Sequence, residues 1–130
     1  MNPEQLKYNP THEWVAITEQ GDERVATVGI TDFALEQLTD LVYMELPKKG
    51  DQVTQGEPFG EVESVKAVSN LYSPVTGEVI DVHAELVDDL EKLGNDPFGE
   101  GWLIKVRLAA DATLDHLLDL EAYRKQCADS

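Results

Sequence analysis

A mainly β core with peripheral short helices is what the sequence predicts, and three observations predict it. Several short segments alternate apolar and polar residues with period two, the spacing of half-buried strands. Gly, Pro and Asp clusters separate them, as turns between strands require. Helical periodicity is confined to short flanking stretches and the C-terminal end. With 130 residues, 42% of them hydrophobic, the chain can bury a real core, so one domain over residues 1–130 is expected.

Taken in order, "HEWVAIT" puts Val15 and Ile17 on one face and Trp14 and Ala16 on the other. Arg24 to Ile30, "RVATVGI", is the next strand. "TDFALEQL" reads as a short helix capped by Thr31 or Asp32, with Phe33, Leu35 and Leu38 for contacts. In "LVYMELP", Val42, Met44 and Leu46 are expected to face one way and Tyr43 and Glu45 the other. "GEPFGEVES" and "YSPVTGEVID" echo each other around residues 65–70, which predicts a core hairpin near 56–82 and one half of a quasi-symmetric sandwich. "AELVDDLEKL" carries a weaker helical signal. In "WLIKVRL", Trp102, Ile104, Val106 and Leu108 alternate with Leu103, Lys105 and Arg107. A last helix is predicted over 111–126, capped by Asp111, with Leu114, Leu117 and Leu118 as its apolar stripe and His116 on its polar side. Arg124 and Lys125 then sit where the helix dipole favours cations.

The chain carries 26 acidic against 10 basic residues, a formal net charge of −16. Nucleic acids and anionic lipids are recognised through clustered Lys and Arg, so neither is an expected partner. Such a surface favours solubility and steered encounters with basic protein surfaces. No apolar run is long enough to cross a bilayer. The start, "MNPEQLKYNP", lacks the basic segment and apolar core of a signal peptide. The lone Cys127 has no partner for an internal disulfide, which fits a reducing compartment.

Catalytic options are thin. His12, His83 and His116 show no metal-ligand spacing with one another or with Cys127. Nucleophile elbow, phosphate-binding glycine loop and dinucleotide fingerprint are all missing. With 26 acids, any chosen carboxylate pair reads as a solvated face. The chain reads as a protein without its own chemistry.

Lys66 in "GEVESVKAVSN" is different. If "GEVES" and "YSPVTGEV" pair as antiparallel strands, Lys66 projects from the exposed connection between them. Val65, Ala67 and Val68 leave that tip less hydrated than an ordinary loop and small enough for an enzyme to grip. On its own, a loop lysine is usually only a solvated charge; the flanking strands and neighbours raise its claim.

At this point the sequence resembles the glycine cleavage system H protein family. "GEVESVKAVSNLYSPVTGEV" is similar to its lipoylation segment, "KYNPTHEWV" to its opening, "VGITDFALEQLTDLVYMELPKKGD" to its central region and "DPFGEGWLIKV" to its late strand. The likeness runs from Tyr8 to Leu108 nearly without a break. It implies a barrel-sandwich hybrid of the lipoyl- and biotinyl-carrier type, with Gly56, Gly60 and Gly77 permitting turns and close strand approach. It implies lipoic acid in amide linkage to Lys66 (N6-lipoyllysine), and no enzymatic activity of the chain itself. The implied partners are a PLP-dependent glycine decarboxylase, a tetrahydrofolate-dependent aminomethyltransferase, dihydrolipoamide dehydrogenase and the lipoylating enzymes, with the carrier a monomer. PLP, folate and FAD belong to those partners.

The same resemblance implies that the loaded arm folds into a surface cleft. There Glu13, with Thr11 beside it, pairs with the protonated amine; Asn70 aligns where some relatives carry an acid. From its residues alone Glu13 reads as an exposed carboxylate at a strand start. Glu63, Val65 and Ala67 are implied in recognition by the lipoylating enzyme. The segment "AELVDDLEKLGNDPFGEGW" departs from the family in lacking its usual proline-containing loop and carrying extra acids.

Three rival readings share parts of this pattern. A biotinyl carrier domain flanks its lysine with methionines, where Val65 and Ala67 stand here. An H-like relay that passes lipoyl groups to other enzymes would use the same lysine. A plain β-sandwich interaction module would leave Lys66 unmodified. A bacterial cytoplasm is the expected location, with a mature mitochondrial chain as the alternative.

Overall fold

Two antiparallel sheets, of six and three strands, share one apolar core in the computed structural model, which describes residues 3–38, 40–110 and 112–128. A 3-10 turn at Pro3–Gln5 precedes β1 (Lys7–Tyr8), β2 (Glu13–Gln20), β3 (Glu23–Ile30), the short helix α1 (Asp32–Leu38) and β4 (Leu41–Glu45). Next come β5 (Gln52–Val53), β6 (Pro58–Ser64), β7 (Val68–Tyr72) and β8 (Gly77–Val82). A 3-10 turn at Ala84–Asp88, α2 (Leu90–Asn95), β9 (Trp102–Leu108) and α3 (Leu120–Ala128) complete the chain. The larger sheet runs β1-β2-β3-β9-β8-β5 and the smaller β4-β6-β7. The mainly β class, the peripheral helices and the C-terminal helix are as the sequence predicts.

The period-two reading of β2 holds. Val15 and Ile17 enter the core between the sheets, while Trp14 and Ala16 join a second cluster on the other face with Leu6, Tyr8 and Tyr123. Trp14 stands opposite Gly29 on β3, and a Cβ at Gly29 would fall on the indole ring. A side chain there is incompatible with the buried Trp14.

Two strands depart from strict alternation, each at a bulge. Leu41 pairs with Ser64 and Tyr43 with Glu63, so Val42 is an extra residue; it is 56% exposed, while Met44 is buried. On β9, Ile104 pairs with Val28 and Trp102 with Gly29. Leu103 is therefore the extra residue and turns into the main core, whereas Trp102 packs on the outer cluster. A bulge resets which side chain faces which way, and alternation alone does not reveal it.

The predicted hairpin over 56–82 is corrected. Pro58–Ser64 pairs with Val68–Tyr72, whereas Gly77–Val82 lies in the other sheet between β5 and β9. The chain changes sheets at Ser73 to Thr76. Pro74 has no N–H for a ladder, and Ser73 Oγ donates to the Val75 carbonyl at 2.6 Å, closing a local turn. The echo of Gly-Glu-Val has a cause nonetheless. A Cβ at Gly60 would strike the Glu45 carbonyl and one at Gly77 the Arg107 carbonyl, so each echo marks a close backbone approach in its own sheet. Gly56 adopts φ +84, a turn conformation that glycine alone accepts freely.

The C-terminal helix is shorter and later than 111–126. It spans Leu120–Ala128, and the expected cap, Asp111, lies outside the described residues. Leu114 and Leu117 pack on the main core from irregular chain, and Leu118 packs on the outer cluster. His116 lies on no helix; its Nε2–H donates to the Pro74 carbonyl at 2.6 Å. The leucines are drawn down by burial, and the Tyr8–Leu118 backbone bridge holds this stretch extended beside β1. Thr31 caps α1 as expected, its Oγ1 accepting from the Ala34 N–H.

Candidate functional site

Lys66 lies at the tip of the β6–β7 hairpin, in a three-residue connection between Ser64 and Val68. Ser64 builds that tip. Its Oγ accepts from the Lys66 and Ala67 N–H groups, both at 3.2 Å, and its N–H donates to the Ala67 carbonyl at 2.8 Å. The Val65 N–H donates to the Asp40 carbonyl at 3.0 Å, which ties the tip to the start of β4. Every side chain from Val65 to Val68 is exposed, Val65 at 66%. Among the described residues no ion pair engages the Lys66 amine. The tip therefore offers an open backbone turn, exposed apolar side chains on either side and an amine free of any ion pair.

Glu63 lies three residues before Lys66 in the middle strand of the smaller sheet, between Tyr43 on β4 and Val68 on β7. Tyr43, Val42, Val65 and Val68 are the large apolar side chains exposed on the described surface, and all four lie at this end of the hairpin. Asn70 is exposed on β7 opposite Glu61, which in turn faces Glu45. An acid at position 70 would add a third carboxylate to that cross-strand row, whereas the neutral amide of Asn70 adds no repulsion. No hydrogen bond joins Asn70 to Glu13.

Glu13 is buried, 2% exposed, against the expectation of a surface carboxylate. Its Oε1 accepts from Asn9 Nδ2 at 3.0 Å and from the Thr11 hydroxyl. Its Oε2 has the Tyr72 N–H at 3.4 Å, a long contact that leaves lone-pair capacity on that oxygen. Thr11 is exposed, so the carboxyl lies one side chain beneath the surface. Tyr72 ends β7, the strand that descends from the Lys66 tip. From Val68 to Tyr72 the strand rises roughly 13 Å. The structure thus brings Glu13 and Thr11 together and places them at the foot of the Lys66 hairpin.

Burial raises the Glu13 pKa to about 7, against the lowering effect of its hydrogen bonds from Thr11, Asn9 and Tyr72. The folded protein therefore holds this proton between about pH 4.5 and 7, where the unfolded chain has released it. Its contribution to stability falls as pH rises through that window, by about 3 kcal/mol in all. Glu13→Gln is expected to remove that dependence. Denaturant titrations of both proteins at pH 5 and pH 8 check it: the variant gains on the wild type at the higher pH.

The residues around Glu13 include several that sequence reasoning missed. Asn9 and Tyr72 contact the carboxyl directly. His12, one residue before it, adopts φ +80. Its Nδ1 shares a 2.6 Å hydrogen bond with the Tyr123 hydroxyl, and burial lowers its pKa. Ser64 was legible in principle, since a serine two residues before a turn amide is a local cap. Tyr72 and Tyr123 are brought to this corner only by folding.

Beside the tip, an open groove of about 1220 Å³ runs along α1, β4 and α2. Asp32, Glu36, Asp40, Asp88, Asp89 and Glu91 line it, and no Lys or Arg does. The extra acids of the segment after β8 thus contribute to one wall. Among the described residues no group of three His, Cys, Asp or Glu side chains is arranged to hold a metal ion, and no helix is long and apolar enough to cross a membrane.

Comparison with known proteins agrees over nearly the whole chain. The family described as "Glycine cleavage H-protein" matches residues 6–130. A glycine cleavage system H protein of Rhodopirellula baltica is 54% identical over 129 residues, covering 99% of this chain and 97% of that one. One from Thermobifida fusca is 57% identical over 109 residues, 84% and 83% of the two chains. The crystal structure of a glycine cleavage system H protein from Mycobacterium marinum superposes with a TM-score of 0.86 at 38% identity, covering 98% of this chain and 99% of that one.

Proposed function

The chain belongs to the glycine cleavage H-protein family, and from that premise we propose that it is the lipoyl-bearing shuttle of the glycine cleavage system, with lipoic acid in amide linkage to Lys66. The observation that carries the assignment of the lysine is the Lys66 amine standing free at the tip of a tight two-stranded turn. When attached, the lipoyl dithiolane supplies the sulfurs that take the aminomethyl group from glycine decarboxylase, yield it to the aminomethyltransferase and are reoxidised by dihydrolipoamide dehydrogenase. The chain itself acts as one carrier unit, without catalysis of its own.

Its residues divide the remaining work. Ser64 fixes the turn, so Lys66 is presented in one orientation. Glu63, Val65 and Ala67 are the features a lipoylating enzyme reads around the amine. Glu13 receives the ammonium of the loaded arm: the approaching cation favours the ionised carboxyl, and Oε2 has room to accept its proton. Thr11 and Asn9 orient the carboxyl from its other oxygen. Burial at that position keeps water from the loaded end. The acidic groove beside the tip favours partners with basic surfaces. A soluble carrier in a bacterial cytoplasm fits this assignment.

Protein expressed in a lipoate-supplied host tests it. Peptide mass analysis is expected to place a lipoyl adduct on Lys66, and the modified protein is expected to support CO2 release from glycine by a glycine decarboxylase. A biotinyl adduct, or modified protein inert toward the decarboxylase, overturns the assignment.

A further inference from the structure

The turn that carries Glu13 is held from a distant part of the chain. Between β1 and β2, the Asn9 N–H donates to the Glu13 carbonyl at 2.8 Å and the His12 N–H to the Asn9 carbonyl at 2.9 Å. Closing this turn puts His12 at φ +80, in the left-handed region. A non-glycine residue there costs free energy that its surroundings must offset. The offset comes from α3. The Tyr123 hydroxyl shares hydrogen bonds with His12 Nδ1 at 2.6 Å and Thr31 Oγ1 at 2.7 Å. Thr31 also receives the Ala34 N–H and donates its own N–H to the His12 carbonyl, so one phenol joins the strained residue to the cap of α1.

The anchor of that phenol is rigid. Tyr123 is 3% exposed and stacks on Tyr8 with centroids 4.8 Å apart and planes 8° from parallel. Three residues on, Gln126 Nε2 donates to the Pro10 carbonyl at 2.8 Å, so α3 grips the turn at two points. Tyr123 bonds neither Glu13 nor Lys66. Its influence passes through His12, whose φ sets the direction in which the chain enters β2 and hence where the next side chain, Glu13, points.

We propose that Tyr123 is a positioning residue for Glu13, acting through His12 and Thr31 to hold the turn that presents the Glu13 carboxyl to the ammonium of the loaded arm. This rests on the reading of Glu13 given above, and it assigns the C-terminal helix a part in protecting the arm.

Tyr123→Phe in the full lipoylated chain keeps the ring stack and removes only the hydroxyl. The Glu13 carboxyl is followed by NMR titration in the unloaded protein, and release of the aminomethyl group is timed in the loaded one. The titration midpoint is expected to fall from near 7 toward the ordinary glutamate range as water reaches the carboxyl, with lipoylation unchanged. Release is expected to quicken roughly fivefold, the factor that one net hydrogen bond is worth. His12→Asn, which keeps a residue tolerant of the left-handed region but removes the imidazole, is expected to move the midpoint the same way. A midpoint unmoved in both variants overturns the proposal, even if release quickens, because the carboxyl would then have kept its surroundings without the Tyr123 hydroxyl. The role of Glu13 itself is read separately, by release from Glu13→Gln. Wild-type release there defeats the reading of Glu13, while the midpoint still decides whether Tyr123 positions it.

Discussion

Lys66→Arg is expected to leave the fold intact and to abolish both lipoylation and glycine cleavage. Lys66 is exposed, and the turn that carries it is made by Ser64 and by backbone groups, not by the lysine stem. A surface exchange of this kind changes stability by no more than about 0.5 kcal/mol. Arginine keeps the positive charge of the unmodified lysine, so the field that meets a lipoylating enzyme is unaltered. Its delocalised guanidinium stays protonated and offers no amine for an ordinary lipoyl amide. Intact mass and glycine-dependent CO2 release measure the two losses, and a thermal melt checks the fold. A variant that folds and still supports glycine cleavage at the wild-type rate would falsify the assignment of Lys66.

The second large effect is expected at Glu13. Glu13→Ala should be lipoylated normally, because the carboxyl lies at the foot of the hairpin and away from the turn that carries Lys66. Its loaded form should lose the aminomethyl group faster by about tenfold or more, since a hydrogen bond to a charged group contributes about 1.5–3 kcal/mol and 1.4 kcal/mol is a factor of ten. Glu13→Gln separates charge from packing: it fills the same volume and satisfies Asn9 and Thr11, but leaves the ammonium without a counter-charge. Following release of the one-carbon unit from purified loaded protein measures both. A wild-type lifetime in Glu13→Gln would remove Glu13 from the site, whatever the alanine variant shows. Some loss of stability is expected in the alanine variant alone, where Asn9 and Thr11 lose their shared acceptor.

The acidic character of the chain has a local form as well as a global one. Six carboxylates line the groove beside the hairpin, while exposed Val42, Tyr43, Val65 and Val68 cluster at the tip. An apolar tip beside an acidic wall gives a partner both a seat and a direction of approach.

Much of this was legible without coordinates. Period-two segments located β2, β3 and the greater part of β4 and β9, and the turn residues between them located the breaks. The exposed turn at Lys66 was legible because a hairpin tip is local, and a short stretch of sequence specifies it. The errors share one origin, in that each depended on a partner distant in sequence. Val42 and Trp102 left their expected faces because a bulge is a mismatch between two strands, recorded in neither alone. The Gly77 echo belonged to another sheet because the Ser73–Pro74 turn sends the chain across the core. Leu114, Leu117 and Leu118 are spaced for a helix yet pack from irregular chain, since burial satisfies apolar side chains in any backbone form.

What the sequence determined by itself was therefore the β class, the acidity, and the lysine at a turn, all properties of neighbours along the chain. What only the tertiary structure decided was the condition of Glu13: buried, raised to about 7, held by Asn9, Thr11 and Tyr72, and steadied through His12 by a tyrosine near the other end of the molecule. The reason is physical. A carboxyl group's proton affinity is set by how much water and how many donors surround it, and those surroundings exist only once strands and helix have packed.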